Sequence, residues 1–179
     1  NKEMNYLYNI ADVTMNLASN EGFGLGTCES LMSGTPIIVN VTGGMQDQCG
    51  FKLRDKLLNY RDYGAIKSLH NWKNWENNEE LTWGDWVKPV WPKTRSLMGS
   101  VPTPYIFDDR CDWEDAGEKL KEWYDMDKDE RRRCGVKGHY FVKGDGMMSA
   151  KAMGDNFFNH METAFEKWTP RKKYEVHKV

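Results

Sequence analysis

Two glutamates that flank a glycine-rich segment are the residues of this sequence best suited to chemistry. Glu21 and Glu29 are separated by seven residues, which include Gly22, Gly24 and Gly26. Glycines permit positive φ angles and let backbone N–H groups approach a ligand closely. Carboxylates accept hydrogen bonds and suit hydroxyl-rich partners such as a sugar or a ribose. The pattern therefore predicts a site for one elongated ligand that the two carboxylates contact at successive points.

The elements around this segment are expected to place it where an α/β sheet binds ligands. Residues 11–18 alternate as a strand does, and Ser19–Gly26 follows as a polar loop. A short helix is predicted from Thr27 to Ser33, ended by Gly34. Open α/β sheets bind ligands outside the carboxyl ends of their strands. Because a helix N-terminus also attracts anions, the loop is suited to a diphosphate.

A second predicted strand completes a strand–helix–strand unit. Ile37–Val41 is a continuous apolar run, which is typical of a buried parallel strand. Thr42-Gly43-Gly44 ends this strand as a turn, and a helix is expected to end at Ile10, before the first strand. The fold class predicted from these elements is α/β, with a parallel sheet and flanking helices.

The pattern is weaker beyond residue 50. Five of the eight tryptophans lie within residues 51–101 without a clean period, and we interpret this range as an irregular insertion. A loop is expected at Gly99–Pro104, then a short strand at Tyr105–Phe107, with Asp108-Asp109 interpreted as a turn. Helices are predicted in three further stretches, namely from an N-cap at Asp112, over Glu130–Val142 and over residues 147–168.

Composition excludes several classes of protein. The chain has 179 residues with 25 basic and 27 acidic side chains, and this balance argues against a general nucleic-acid binder. No apolar run is long enough to span a membrane. The four cysteines are widely spaced, so we expect reduced thiols in a cytoplasmic protein. The first residues, Asn1-Lys2-Glu3-Met4, predict that the sequence begins partway through a longer protein.

Other chemical patterns have less specific interpretations. The three glycines superficially resemble a dinucleotide fingerprint, but the third comes one residue early and Val41-Thr42 stands where an acidic residue is expected. The acidic stretch Asp125–Asp129 lacks the glycine and glutamate of a calcium loop, so a solvated helix junction is preferred. The four histidines have no metal-ligand spacing, and no metal site is predicted.

Two aromatic patterns each have two interpretations. Trp72, Trp75, Trp83, Trp86 and Trp91 form either a sugar-stacking platform or, as we favour, a structural cluster in a segment poor in aliphatic residues. The last predicted helix carries an apolar stripe that packs either on its own sheet or on a further domain. This stripe comprises Met153, Phe157, Met161, Ala164, Phe165 and Trp168.

The complete string of motifs closely resembles the donor-binding domain of retaining GT-B glycosyltransferases, in particular glycosyltransferase family four. The resemblance is strong over residues 4–48, where it rests on Tyr6–Val13, Ser19 with Glu21–Leu25, Glu29–Ile38 and Gly43-Gly44. From Tyr105 onward it is weaker and implies the closing strand and helices of that domain. The resemblance implies that residues 1–179 are the C-terminal part of a Rossmann-like donor-binding domain.

The resemblance also implies a role for each matching residue. Glu21 would be the catalytic residue that contacts the hydroxyls of the donor sugar, and Glu29 would bind the nucleotide ribose. Gly22, Phe23, Gly24 and Leu25 would bind the donor, with the backbone N–H groups of the last three facing its sugar and diphosphate. The implied activity is hexosyl transfer with retention of configuration from a UDP-, GDP- or ADP-sugar, without a metal or cofactor.

The acceptor side is not defined by any residue of this sequence. The diphosphate-binding Arg/Lys pair of the family and its N-terminal domain match no position here, so a missing domain or a partner chain is expected to supply them. The acceptor is a glycan, a lipid or a protein. Ser30, where the family usually has alanine, is a mild departure. The alternative hypothesis is a non-catalytic module that binds a nucleotide-sugar or carbohydrate and retains the fold.

Overall fold

The computed structural model describes residues 2–59, 62, 79–146 and 148–170 of the chain, so Trp72 and Trp75 lie outside the described residues. Within them the protein is mixed α/β. The helices are α1 Lys2–Ile10, α2 Leu25–Met32, α3 Met45–Gln48, α4 Trp113–Asp125, α5 Lys128–Lys143 and α6 Ala150–Lys167. The strands are β1 Thr14–Asn16, β2 Ile37–Asn40, β3 Lys52–Leu53, β4 Lys56–Leu57, β5 Leu81–Thr82, β6 Val87–Val90, β7 Pro92–Ser100 and β8 Thr103–Cys111.

The central sheet is parallel and has the order β1-β2-β6. Thr14 pairs with Ile37, and Ile37 pairs in turn with Val87. All four residues of the middle strand β2 are buried, which confirms the buried parallel strand predicted from the apolar run. The strand–helix–strand unit and the α/β class are therefore confirmed.

The third strand of this sheet lies inside the range predicted to be an irregular insertion. Val87 and Val90 are both 1% exposed and bracket Lys88 and Pro89. Because the lysine and proline interrupt the apolar residues, the sequence of β6 lacks the pattern of a buried strand. The interpretation of residues 51–101 as wholly irregular was therefore wrong for β6. Proline is tolerated there because β6 is an edge strand, where a ladder hydrogen bond can be missing.

Strands β7 and β8 form a long antiparallel hairpin in place of the single closing strand expected near Tyr105. Residues Gly99–Ser100 and Thr103–Pro104, predicted as loop, belong to this hairpin. Asp108 and Asp109 lie within β8, so their interpretation as a turn was wrong. Asp109 is 3% exposed. Its carboxylate is buried by the contacts described below.

The core lies on both faces of the central sheet. Neighbouring residues of β2 point to opposite faces, so Ile37 and Val39 pack with Leu31 and Phe141 on one side. On the other side, Ile38 packs in a second cluster with Val90, Ala116, Trp123 and Cys134. Covering of both faces is what a parallel sheet requires, because both faces of its strands are apolar.

The described tryptophans of the aromatic-rich range pack against this core. Trp86 stacks on Phe141 with ring centroids 4.5 Å apart, and Trp91 lies 5.5 Å from the ring of Phe51. Trp83 meets Phe51 edge to face. These contacts support the structural interpretation of the three tryptophans that the structure describes.

Helices α4 and α5 begin at aspartate caps. Asp112 Oδ1 accepts a hydrogen bond from Glu114 N at the start of α4, as predicted. Asp127 caps α5, which confirms the helix junction in the acidic stretch.

Helix α6 contains no buried residue, and Phe157 and Phe165 on its apolar stripe are exposed. Packing of this stripe on the central sheet is therefore not observed. None of the described helices is long and apolar enough to cross a membrane.

Candidate functional site

The glycine-rich loop joins the carboxyl end of β1 to α2, as predicted, and α2 begins two residues earlier than expected, at Leu25. Gly24 is the N-cap of α2 and has a left-handed conformation with φ 83° and ψ 60°. A Cβ at this position would lie 2.9 Å from both Met45 Cγ and Thr27 Oγ1. Glycine is therefore required at residue 24 both by the backbone conformation and by the space around it.

Buried side chains hold the carbonyl groups of this loop toward the protein interior. Gln48 Nε2 donates to Phe23 O at 2.6 Å and to Gly24 O at 2.9 Å. Thr27 Oγ1 also donates to Gly24 O, at 2.9 Å. In a trans peptide the C=O and N–H groups point in opposite directions. The N–H groups of Gly24 and Leu25 are therefore directed away from Gln48, at the N-terminus of α2.

We predict that Gln48→Leu releases the loop. The substitution leaves the carbonyls of Phe23 and Gly24 without their amide donor, so we expect the free energy of unfolding to fall by about 2 kcal/mol. Nitrogen-15 relaxation should show increased motion of residues 23–25. Gln46→Leu is the matched control, because Gln46 Nε2 donates to Gly43 O instead. Unchanged relaxation at residues 23–25 in Gln48→Leu would contradict the anchoring role.

The Gly43-Gly44 turn after β2 lies in direct backbone contact with the loop. Gly44 N donates to Glu21 O at 3.1 Å. A Cβ on Gly43 would lie 1.8 Å from Glu21 O, and one on Gly44 would lie 2.5 Å from Gly22 O. Only glycines permit this approach, and Gly43 also has a φ of 51°. The structure thus brings the two glycine motifs of the sequence together at the carboxyl ends of β1 and β2.

The two glutamates occupy the positions that their spacing predicts. Glu21 is half-buried in the loop, and Glu29 is exposed on the second turn of α2. Glu29 Oε2 accepts a hydrogen bond from the Tyr8 hydroxyl at 3.1 Å. Burial, and then the contact with Glu29, raises the pKa of Tyr8. A Cβ on Gly26 would lie 3.3 Å from the same hydroxyl, so Tyr8 of α1 covers this part of α2.

An ion pair beside the loop, with a buried aspartate and an accessible arginine, was not predicted from the sequence. Asp109 Oδ2 accepts hydrogen bonds from Arg95 Nη2 and Thr42 Oγ1, both at 2.8 Å, and Arg95 Nε donates to Asp109 Oδ1. The bond with Asp109 raises the pKa of Arg95. We name these two residues the Arg95–Asp109 pair. Their separation in sequence from Thr42 gives no local signal that could have predicted the contact.

The backbone of Asp109 joins the hairpin to both neighbouring strand ends. Asp109 N donates to Ser19 O at 2.8 Å. Asn40 Nδ2 donates to Asp109 O at 2.7 Å and to Ala18 O at 3.0 Å. The base of the hairpin therefore sits on the carboxyl ends of β1 and β2, in contact with Ser19 at the start of the glycine-rich loop.

Two cavities lie at the other edge of the sheet. One of about 540 Å³ is lined by Asp12, Val13 and Trp123, and one of about 430 Å³ by Asp12 and Pro36. These residues precede or begin β1 and β2 or face them from α4. Both cavities are therefore at the amino ends of the strands, whereas the glycine-rich loop lies at the carboxyl ends.

Metal binding and nucleophilic catalysis by cysteine have little support among the side chains that the structure describes. Within them, no three His, Cys, Asp or Glu side chains come together as a candidate metal site. All four cysteines are free thiols, and burial raises the pKa of each. A raised pKa disfavours the thiolate, so these cysteines are poorly suited to nucleophilic chemistry.

Comparison with known proteins adds no family assignment to this geometry. No protein-family model matches the chain, and no curated protein matches it. Of the residues predicted for the site, Glu21, Gly22, Phe23 and Gly24 lie in one loop. Leu25 and Glu29 lie on the helix α2 that follows this loop. This arrangement places the backbone N–H groups of Gly24 and Leu25 between the carboxylates of Glu21, which precedes them in sequence, and Glu29, which follows them.

Proposed function

We propose that this chain supplies the donor-binding half of a retaining GT-B glycosyltransferase, with a Rossmann-like sheet. The observation that carries the proposal is the inward anchoring of the carbonyls of Phe23 and Gly24 by Gln48 at the N-terminus of α2. This anchoring directs backbone donors outward at the carboxyl end of a parallel strand. Such donors suit a diphosphate, because a helix N-terminus carries partial positive charge.

The donor is a nucleotide-sugar whose parts lie along the loop and α2. The N–H groups of Phe23, Gly24 and Leu25 bind the diphosphate and the neighbouring sugar. Glu29 accepts hydrogen bonds from the ribose hydroxyls, with Tyr8 holding its carboxylate. Glu21 contacts the hydroxyls of the donor sugar and is the proposed catalytic residue. Carboxylates suit both tasks, because an ionised carboxylate accepts several hydrogen bonds.

The proposed reaction transfers the sugar with retention of configuration. The bond between the anomeric carbon and the diphosphate oxygen breaks, and the diphosphate leaves with the electron pair. The acceptor oxygen bonds to the anomeric carbon on the same face and passes its proton to the oxygen of the departing diphosphate. Backbone donors at the leaving diphosphate stabilise the charge that develops there, so the reaction needs no metal ion or other cofactor. The acceptor, which is a glycan, a lipid or a protein, is bound by an N-terminal domain or a partner chain.

The binding part of the proposal is tested by calorimetry with UDP, GDP and ADP on the full chain. We expect one of the three to bind, and Glu29→Gln to weaken this binding about tenfold, since a hydrogen bond to a charged group contributes about 1.5 kcal/mol. Glu118→Gln is the matched control, because Glu118 is an exposed glutamate on α4. Absence of binding to all three nucleotides, or equal affinity in Glu29→Gln, would refute the proposed donor site.

The catalytic part is tested by turnover of the nucleotide-sugar once an acceptor-binding chain or domain is present. We expect Glu21→Gln to lower the turnover rate by at least about 100-fold and to leave nucleotide affinity within about twofold, since its contacts are with the sugar. Binding without any turnover by the complete assembly would instead indicate a non-catalytic module that retains the fold.

A further inference from the structure

The Arg95–Asp109 pair lies on the same edge of the sheet as the proposed donor site. Thr42 and Arg95 donate to the same carboxylate oxygen of Asp109, each at 2.8 Å. Thr42 is followed by Gly43, whose α-carbon lies directly against the Glu21 carbonyl. A continuous series of contacts therefore connects the guanidinium of Arg95 to the loop that carries Glu21.

The two members of the pair differ in exposure. The Asp109 side chain is 4% exposed, whereas 37% of the Arg95 side chain is accessible. Asp109 binds the guanidinium along the edge formed by Nε and Nη2. Since the guanidinium is planar, its opposite edge points away from this carboxylate. The accessible part of Arg95 thus extends beyond the buried carboxylate that orients it.

A second contact fixes the guanidinium in place. Arg95 Cζ lies 5.9 Å from the centroid of the Phe107 ring, within the range of a cation–π interaction. Arg95 and Asp109 are directly paired across the hairpin, and Leu97 and Phe107 are paired two residues further along, on the same face. An arginine held by a carboxylate and an aromatic ring loses little further conformational freedom on binding a ligand.

We propose that Arg95 binds the phosphate groups of the ligand held by the glycine-rich loop, with Asp109 as the residue that positions it. This inference rests on the proposed function, and it adds a cation to a site for which the family resemblance implies none within this chain. The planar fork of arginine matches the oxygens of a phosphate and can bind two of them at once. Arg95 would thus complement the neutral N–H donors with positive charge where the diphosphate lies.

The test is calorimetry on the full chain with inorganic pyrophosphate, and with UDP, GDP and ADP. We expect Arg95→Gln to weaken the binding of pyrophosphate and of the preferred nucleotide at least about tenfold. Arg95→Lys keeps the charge but loses the fork, and it should weaken both about threefold to tenfold. Arg110→Gln is the matched control, because Arg110 lies on the paired strand β8 with 58% of its side chain exposed. It should change neither affinity more than twofold.

The outcomes separate this inference from the proposed function. Unchanged pyrophosphate and nucleotide affinities in Arg95→Gln, with Glu29→Gln still weakening the nucleotide, would overturn the role of Arg95 and leave the donor site standing. Arg95-dependent binding of pyrophosphate without binding of any nucleotide would support the phosphate contact and refute the nucleotide-sugar donor. Absence of binding to all four probes would overturn both. Should Arg95→Gln fail to fold, as judged by circular dichroism, Arg95→Lys decides, and wild-type pyrophosphate affinity in that variant would overturn the proposal.

Discussion

Replacement of Gly135 by alanine is expected to destabilise the protein by about 3 kcal/mol, although alanine is the better helix former. Gly135 lies in α5, where a Cβ would stand 1.9 Å from Gly34 O and 3.1 Å from Pro36 Cδ. The obstructing atom is a backbone carbonyl beyond the C-terminus of α2, and Gly34 is itself fixed at a φ of 80°. Relief of the overlap therefore requires α5 to move away from α2.

A matched glycine gives the opposite result. Gly117 lies within α4, and nothing is found within 4 Å of its Cβ position. Gly117→Ala should stabilise the protein by about 1 kcal/mol, which is the helix-propensity difference alone. Urea denaturation followed by circular dichroism measures both variants. Wild-type stability of Gly135→Ala would show that the close approach of α5 to the end of α2 is wrong.

Loss of the charge on Asp109 is the second substitution expected to have a large effect. Asp109→Asn removes the carboxylate that pairs with Arg95, next to the contact with Thr42. Breaking a fully buried ion pair costs about 3–5 kcal/mol. Because 37% of the Arg95 side chain is exposed, water compensates part of this loss, and we expect about 2 kcal/mol.

The neighbouring aspartate provides the control. Asp108 is 19% exposed as a side chain and approaches Arg110 only at 3.9 Å. Asp108→Asn should change the free energy of unfolding by less than about 0.5 kcal/mol. Urea denaturation again makes the comparison. Equal effects of the two substitutions would mean that the Arg95–Asp109 pair contributes no more than a surface contact.

The part of the fold that sequence predicted correctly is the part whose pattern is local. The helix to Ile10, the buried strand after Pro36 and the cap at Asp112 each rest on residues that are close together in sequence. Strand β6 was missed because Lys88 and Pro89 interrupt it, and only its pairing with β2 makes it a strand of this sheet. Such pairing is a tertiary interaction, which no short window of sequence contains.

The candidate site divides in the same way. The glycine-rich loop and the Gly43-Gly44 turn were identified from their own residues, since positive φ and close approach require glycine. The roles of Gln48 and Asp109 in the site were not predicted. Gln48 binds loop carbonyls and Asp109 binds a guanidinium, and these partners lie on other elements of the fold. Asp109 bonds to Thr42 across 67 residues of sequence, and its local surroundings suggested only a turn.

The long separation between the hairpin and the strands that it contacts also determines the expected order of folding. Strand β1, helix α2 and strand β2 are consecutive, so they can associate by closing short loops. The bond from Asn40 to Asp109 O spans 69 residues, and contacts of such high sequence separation form slowly. We therefore expect the hydrogen bond between Asp109 N and Ser19 O, at the start of the glycine-rich loop, to form only in the last step of folding. The long-range bonds of Asp109, which include the bond from its amide to Ser19 O, should also be the first to open in the native state. The Asp109 amide should therefore exchange its proton faster than that of Val39.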